Sequence, residues 1–262
     1  MTDEPTGSTR SRVWANVLLP ASGLVLAVAL WWLATLVFGI DPFYVPSPAD
    51  VVDSFQKTPH YLLSETWVTV WRVLIGFVIA VVAGLVIAIV LAASQTIERM
   101  AMPVLAAVNA IPKVALAPLL LVWFGFGDTP KIIMVVLVSF FPVIVSTMAG
   151  LTSAPGDLRL LARSLSASWW QTFVKVRLPW ALPQIFVGLK VATPLAIIGA
   201  VIGEVVNPDH GLGSVISGAG TNSDTALAFA ALILLAIIGA IFYYLMAGIE
   251  RLLVPWARAI NA

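Results

Sequence analysis

DLRLLARSLSASWWQTFVKVRLPWALP, Asp157 to Pro183, is the one polar, basic stretch in the second half of a chain otherwise built for lipid. Apolar runs long enough to cross a bilayer flank it, so it reads as a surface loop between two spans. Leu158, Leu161, Ala162, Leu165, Trp169, Phe173 and Val176 recur at three- and four-residue steps and form one apolar helical stripe. Arg159, Arg163, Lys175 and Arg177 lie off that stripe. Asp157 is placed to cap a first helix. Ser168 followed by Gln171 forms a capping box that starts a second. The expected form is helix, break near 166–168, short helix, then Leu178-Pro179 leading into the next span. Two uses fit this pattern: a surface that seats a partner protein, or an amphipathic helix lying on anionic lipid.

The rest of the chain sets the class. Of 262 residues, 60% are hydrophobic and 10% charged, with a mean hydropathy of +1.01, whereas a soluble domain carries about a quarter charged residues. The composition predicts an all-α polytopic membrane protein with about six transmembrane helices. The apolar stretches run roughly 14–38, 67–93, 100–124, 131–152, 183–205 and 225–249. Pro103, Pro112, Lys113 and Pro118 interrupt the third, which is tolerable only against neighbouring helices or beside a wet cavity. A formal net charge of +1 offers no field to nucleic acid. The absence of cysteine excludes disulfides and thiolate sites, and His60 and His210 are too few for a histidine metal centre. No metal ligands are expected.

Lysine and arginine placement predicts the orientation. With the N-terminus inside, Arg10, Arg12, Arg99, Arg159, Arg163, Lys175, Arg177, Arg251 and Arg258 all fall on the cytoplasmic side, and the outer loops collect Asp41, Asp50, Asp53, Glu65, Asp128, Asp209 and Asp224. The expected organisation is a cytoplasmic tail over 1–13, a membrane domain over 14–252 with its cytoplasmic loop at about 153–182, and a second cytoplasmic tail over 253–262. A cleaved signal peptide is not expected, because the first apolar run is too long for one. Most tryptophans fall near predicted interfaces with the lipid headgroups.

Spacing within the basic loop resembles the cytoplasmic loop of ABC importer permeases: Glu-Ala-Ala, three residues, Gly, nine residues, Ile-x-Leu-Pro. Leu160-Leu161-Ala162 occupies the first triplet, Ser166 the glycine, and Val176-Arg177-Leu178-Pro179 the closing motif. Leu160 and Ser166 depart from that pattern, removing a polar contact and the residue freest to take positive φ. Ile111-Pro112-Lys113-Val114-Ala115-Leu116-Ala117-Pro118-Leu119, closed by Phe124-Gly125-Phe126-Gly127, is similar to a signature of the nitrate, sulfonate and taurine permease group. Val45-Pro46-Ser47-Pro48, Gly203-Glu204 and Gly211-Leu212-Gly213 match further landmarks, in order. That group also contains bicarbonate, riboflavin, aromatic-acid and pyrimidine-precursor permeases. Asp224-Thr225-Ala226-Leu227-Ala228-Phe229-Ala230 looks somewhat like the last of these.

The resemblance implies a type I importer in the cell (inner) membrane. Two permease copies would form the pathway, two ATPase subunits would bind the loops, and an external binding protein would deliver the solute. No G-x-x-x-x-G-K-[ST] phosphate loop occurs in the chain. ATP and Mg would therefore sit on the partner ATPase, with no cofactor on this chain and no catalytic residue in it. The residues expected to couple are Leu161, Ala162, Arg163, Leu165, Ser166, Trp169, Phe173, Lys175, Leu178 and Pro179, with Arg163 and Lys175 facing acidic groups of the ATPase.

Intramembrane polar groups are the candidates for the pathway: Asn109, Lys113, Thr193 and Glu204. Lys113 could equally snorkel or cap the carbonyls of a broken helix, and Glu204 could be an outer salt bridge. Arg72 and Lys190 read as snorkelling residues, Gly199-x-x-x-Gly203 as a packing motif, and His210 as a turn residue. A secondary transporter or channel would call for internal repeats or several midspan carboxylates, and a membrane enzyme for a convergent catalytic set; neither pattern is evident. The chain reads as one half of a pathway, most simply in a homodimer. A small polar or anionic nutrient is the expected cargo, with a pyrimidine precursor or riboflavin as the alternative.

Overall fold

The computed structural model describes residues 9–256, which form helices α1 Thr9–Val37, α2 Pro48–Lys57, α3 Pro59–Ala92, α4 Gln95–Ala110, α5 Lys113–Phe124 and α6 Asp128–Thr152. There follow α7 Gly156–Ser164, α8 Trp169–Thr172, a π-helical turn Phe173–Arg177, α9 Leu178–Val206, α10 Leu212–Thr221 and α11 Thr225–Leu253. Residues 1–8 and 257–262, the greater part of the two expected tails, lie outside the described residues.

Among the described residues, four helices are long and apolar enough to span a membrane: α3, α6, the continuous run Trp169–Val206, and α11. The third apolar stretch is not a kinked helix. It is two helices bent by 87° at a break between Ala110 and Lys113, and counts as a fifth span only if the pair is taken together. Pro112 causes the break, because it has no amide hydrogen to continue the helix and forces its predecessor into extended backbone; Ile111 has ψ 128°. In α1 the apolar part is Ala21–Val37, and its surface is largely exposed.

Helix α6 lies between α3 and α9, and these three carry most of the core. Their backbones approach closely because glycine faces the contact. A Cβ on Gly199 would lie 2.8 Å from the Met134 carbonyl oxygen, and one on Gly203 would lie 2.9 Å from Lys131 Cα. The Gly199–Gly203 motif is therefore spent inside the protomer, on α6.

Sequence and structure differ at two span boundaries. Helix α3 begins at Pro59, eight residues before the expected 67, because proline is pre-organised for the first helical position. The helix expected over 183–205 runs back without interruption to Trp169. Helix α2 was not expected at all, although Ser47-Pro48-Ala49-Asp50 encodes it. The Ser47 hydroxyl accepts from the Asp50 amide, and the Asp50 carboxylate accepts from the Ser47 amide at 2.8 Å. Bonds from the Ser47 hydroxyl and backbone hold the Asp50 carboxyl below its usual range.

Candidate functional site

Two polar assemblies sit at opposite ends of α6 and α9. At one end lies the loop 153–177. Helix α7 stops by a reversal in which the Ala167 amide donates to Ala162 O at 3.0 Å and Leu165 to Leu161 O at 3.1 Å. That reversal needs a residue at positive φ, and Ser166 supplies it at φ 54°. Ser166 thus takes the conformation for which glycine is the usual choice. Ser168 then starts α8 with both halves of a capping box, its hydroxyl accepting from the Gln171 amide at 3.2 Å and its amide donating to Gln171 Oε1 at 2.9 Å.

The reversal splits the expected apolar stripe, so it does not form one continuous face. Ala162 and Phe173 turn inward and are buried, whereas Leu161, Leu165 (73% exposed) and Trp169 turn out, joined by Leu160 and Trp170 (63% exposed). Trp169 stacks on Phe173 at 5.4 Å with planes 9° apart, and Trp170 on Phe173 at 5.8 Å. Three leucines and two tryptophans thus form an exposed apolar ridge over a buried phenylalanine. Leu178 and Pro179 are partly buried at the start of α9. Lys175 is exposed and lines a cavity of about 820 Å³ with Trp180, Gln184, Lys190, Glu250 and Trp256. Arg163 belongs to α7, but its side chain lies outside the described residues. Asp157 sits within the first turn of α7 rather than ahead of it, so the capping expected of it does not apply.

At the other end, α3, α6, α9 and the connection into α10 enclose an ion network that sequence reasoning did not assemble. Glu204 is fully buried. It accepts from Thr69 Oγ1 and Arg72 Nη1, each at 3.0 Å, and from the Gly213 amide at 2.9 Å. Arg72, 3% exposed, reaches past Glu204 to Asp128 at 2.6 Å and to the His210 carbonyl oxygen. It does not snorkel. Lys131 is buried against Asp209, and Glu65 accepts from the Gly211 amide and meets His210 Nδ1 at 3.2 Å. His210 is a turn residue, as expected, but one clamped on both sides. The sequence reading allows Glu204 an outer salt bridge, and Arg72 supplies it, but that reading names none of the network's partners.

The remaining pathway candidates satisfy one another or their own helices. Lys113 Nζ donates to the Asn109 carbonyl oxygen and, at 2.7 Å, to Asn109 Oδ1, capping the end of α4 across the break. Thr193 is buried and donates to Leu189 O at 2.9 Å within α9. Lys190 pairs with Glu250 of α11 at 2.7 Å and is not a free snorkelling group.

Residues 80–259 match the sequence profile of the binding-protein-dependent transport system inner membrane component. The chain belongs to that family. It is 38% identical to the riboflavin transport system permease protein RibX of Chloroflexus aurantiacus, over 93% of this chain and 91% of that one. It is 30% identical to the putative aliphatic sulfonates transport permease protein SsuC of Bacillus subtilis, over 93% and 88%. The fold matches a chain of the MetNI methionine ABC transporter in its inward facing conformations, with a TM-score of 0.66 and 20% identity, over 74% of this chain and 97% of that one. The protein is therefore a multi-pass ABC importer permease with an all-α fold, and membership implies an ATPase and a substrate-binding protein as partners. In this permease the basic loop lies at the ends of α6 and α9 farthest from the ion network.

Proposed function

We propose that the permease forms half of a solute pathway with a second copy of itself, that both termini and the 153–177 loop are cytoplasmic, and that two ATPase subunits holding ATP and Mg dock on the two loops. The observation that carries this reading is the exposed Leu160, Leu161, Leu165, Trp169 and Trp170 ridge on a stiffly capped helix pair. A lipid-surface helix would lay its apolar residues along one unbroken face. Here they wrap a corner, a shape suited to a groove in a protein. The placement of lysine and arginine supports the inside orientation. ATP-driven closure of the partner would push the corner, and α8 would pass the push directly into α9, since Trp169–Val206 is one continuous helix.

For the cargo, the permease's own charges favour a solute that needs no fixed cation in the membrane. Arg72, Lys113, Lys131 and Lys190 are each held by acceptors of the chain itself. Selectivity then rests mainly with the external binding protein. Of the two expected cargo classes, a neutral heterocyclic nutrient fits these charges better than a sulfonate or nitrate, and the higher identity to the riboflavin permease, 38% against 30% for SsuC, favours riboflavin within that class.

Affinity purification from native membranes in mild detergent tests the machinery. A near-stoichiometric Walker-motif ATPase, lost in Leu165→Glu/Trp170→Glu, is the expected result. Retention of the ATPase in that variant overturns the docking assignment. Uptake of labelled riboflavin and taurine, competed with each other in vesicles holding the complete importer, separates the two cargo classes.

A further inference from the structure

Arg177 occupies the unspecified position of the loop's closing motif, yet its side chain is the polar link from the loop to the rest of the bundle that the geometry displays most plainly. Its Nε donates to Leu151 O at 3.1 Å and its Nη2 to Ala92 O at 3.3 Å. Leu151 lies in the last turn of α6, and Ala92 is the final residue of α3. Both carbonyls belong to the group that a helix leaves without an intrahelical partner, at the end where the helix dipole favours a cation. A guanidinium is a planar fork that can serve two such acceptors at once; an ammonium is a single point charge. The π turn Phe173–Arg177 aids this arrangement: Phe173 is buried under the tryptophans, and Arg177, four residues on, points toward the same bundle.

We propose that Arg177 is a positioning residue for energy coupling, a strut through which displacement of the loop acts on α3 and α6 as well as on α9. This rests on the reading of the loop as the ATPase-docking element. Without the strut, α8 would still push α9 along the continuous helix, but at the loop end α6 and α3 would follow only through apolar packing. Arg72 ties the same three-helix unit at the opposite end, through α3, the first turn of α6 and the last turn of α9. The two arginines would thus make α3, α6 and α9 move as one body.

The test uses the complete importer, with its ATPase and binding protein, reconstituted in proteoliposomes. The readout is solute imported per ATP hydrolysed, alongside the ATPase rate with and without loaded binding protein. Arg177→Gln is expected to retain the ATPase while the import-to-hydrolysis ratio falls by about tenfold, the scale of one lost charge-assisted hydrogen bond. Arg177→Lys, reaching one carbonyl at a time, is expected to fall between Gln and wild type. A merely structural cap would lower hydrolysis and import together and leave the ratio unchanged; that result overturns the proposal. Should Arg177→Gln fail to assemble, the ratio in Arg177→Lys decides, and a wild-type value there is equally fatal. If the wild-type permease itself holds no ATPase, the docking reading fails instead, and the two failures are distinct.

Discussion

Removing the Arg72 guanidinium should destabilise the permease far more than its number of partners suggests, because its partners differ in access to water. Asp128 is 62% exposed and its carboxylate can be rehydrated, so losing that pair costs about 0–1 kcal/mol. Glu204 is 0% exposed and keeps only the Thr69 hydroxyl and the Gly213 amide once Arg72 is gone. An uncompensated buried charge of this kind costs about 3–5 kcal/mol. Arg72→Met is therefore expected to lower the melting temperature by about 6–20 °C, at 2–4 °C per kcal/mol for a chain near this size. The double variant Arg72→Met/Glu204→Leu should recover much of the loss, since the orphaned charge is then absent. Intrinsic fluorescence of the ten tryptophans in detergent provides the assay. A wild-type melting temperature in Arg72→Met, or a double variant as unstable as the sum of the two single ones, would refute the reasoning.

Gly211→Ala places a Cβ 2.2 Å from the Glu204 carboxyl carbon at φ 108°, and should cost at least about 2 kcal/mol by strain and overpacking together, read by the same melting assay. At the loop, Ser166→Val puts a β-branched residue at φ 54°; it should speed hydrogen exchange over 157–172, while Ser166→Gly leaves exchange as slow as in wild type or slower. Because the chain has no cysteine, single introduced thiols report topology. Asn222→Cys should react with a membrane-impermeant maleimide in intact cells, and Ser164→Cys only after permeabilisation.

Some features written within a few residues were legible in the sequence, although the Ser47–Asp50 capping box that starts α2 was passed over. Ser168 and Gln171 announced the start of α8, and the loop reversal near 166 was expected, since caps and turns are made by near neighbours. The Asn109–Lys113 contact was half legible. Capping of broken-helix carbonyls was one of three roles open to Lys113, beside snorkelling and contact with the solute, and its partner four residues back was named separately as a pathway group. Of the ion network only a salt bridge at Glu204 was legible; its partners were not, because they come from 65–72, 128–131 and 209–213 and meet only after three helices have packed. Arg72 shows why. With the span read as starting at 67 the arginine falls near a helix end, where snorkelling is the ordinary fate. With α3 starting at Pro59 it lies more than three turns in, where it needs buried partners. Helix α10 was missed because Gly213, Gly218 and Gly220 dilute its pattern.

The central claim, that the 153–177 loop seats a separate ATPase, is tested most directly by a site-specific cross-link. Leu165→Cys, on the exposed corner, would carry a short thiol-to-amine reagent in the assembled importer, with Asn222→Cys as the control at the opposite end. A covalent permease–ATPase product from position 165 and none from position 222 is the predicted result. A functional importer that gives no such product from 165, or gives it equally from 222, would contradict the account.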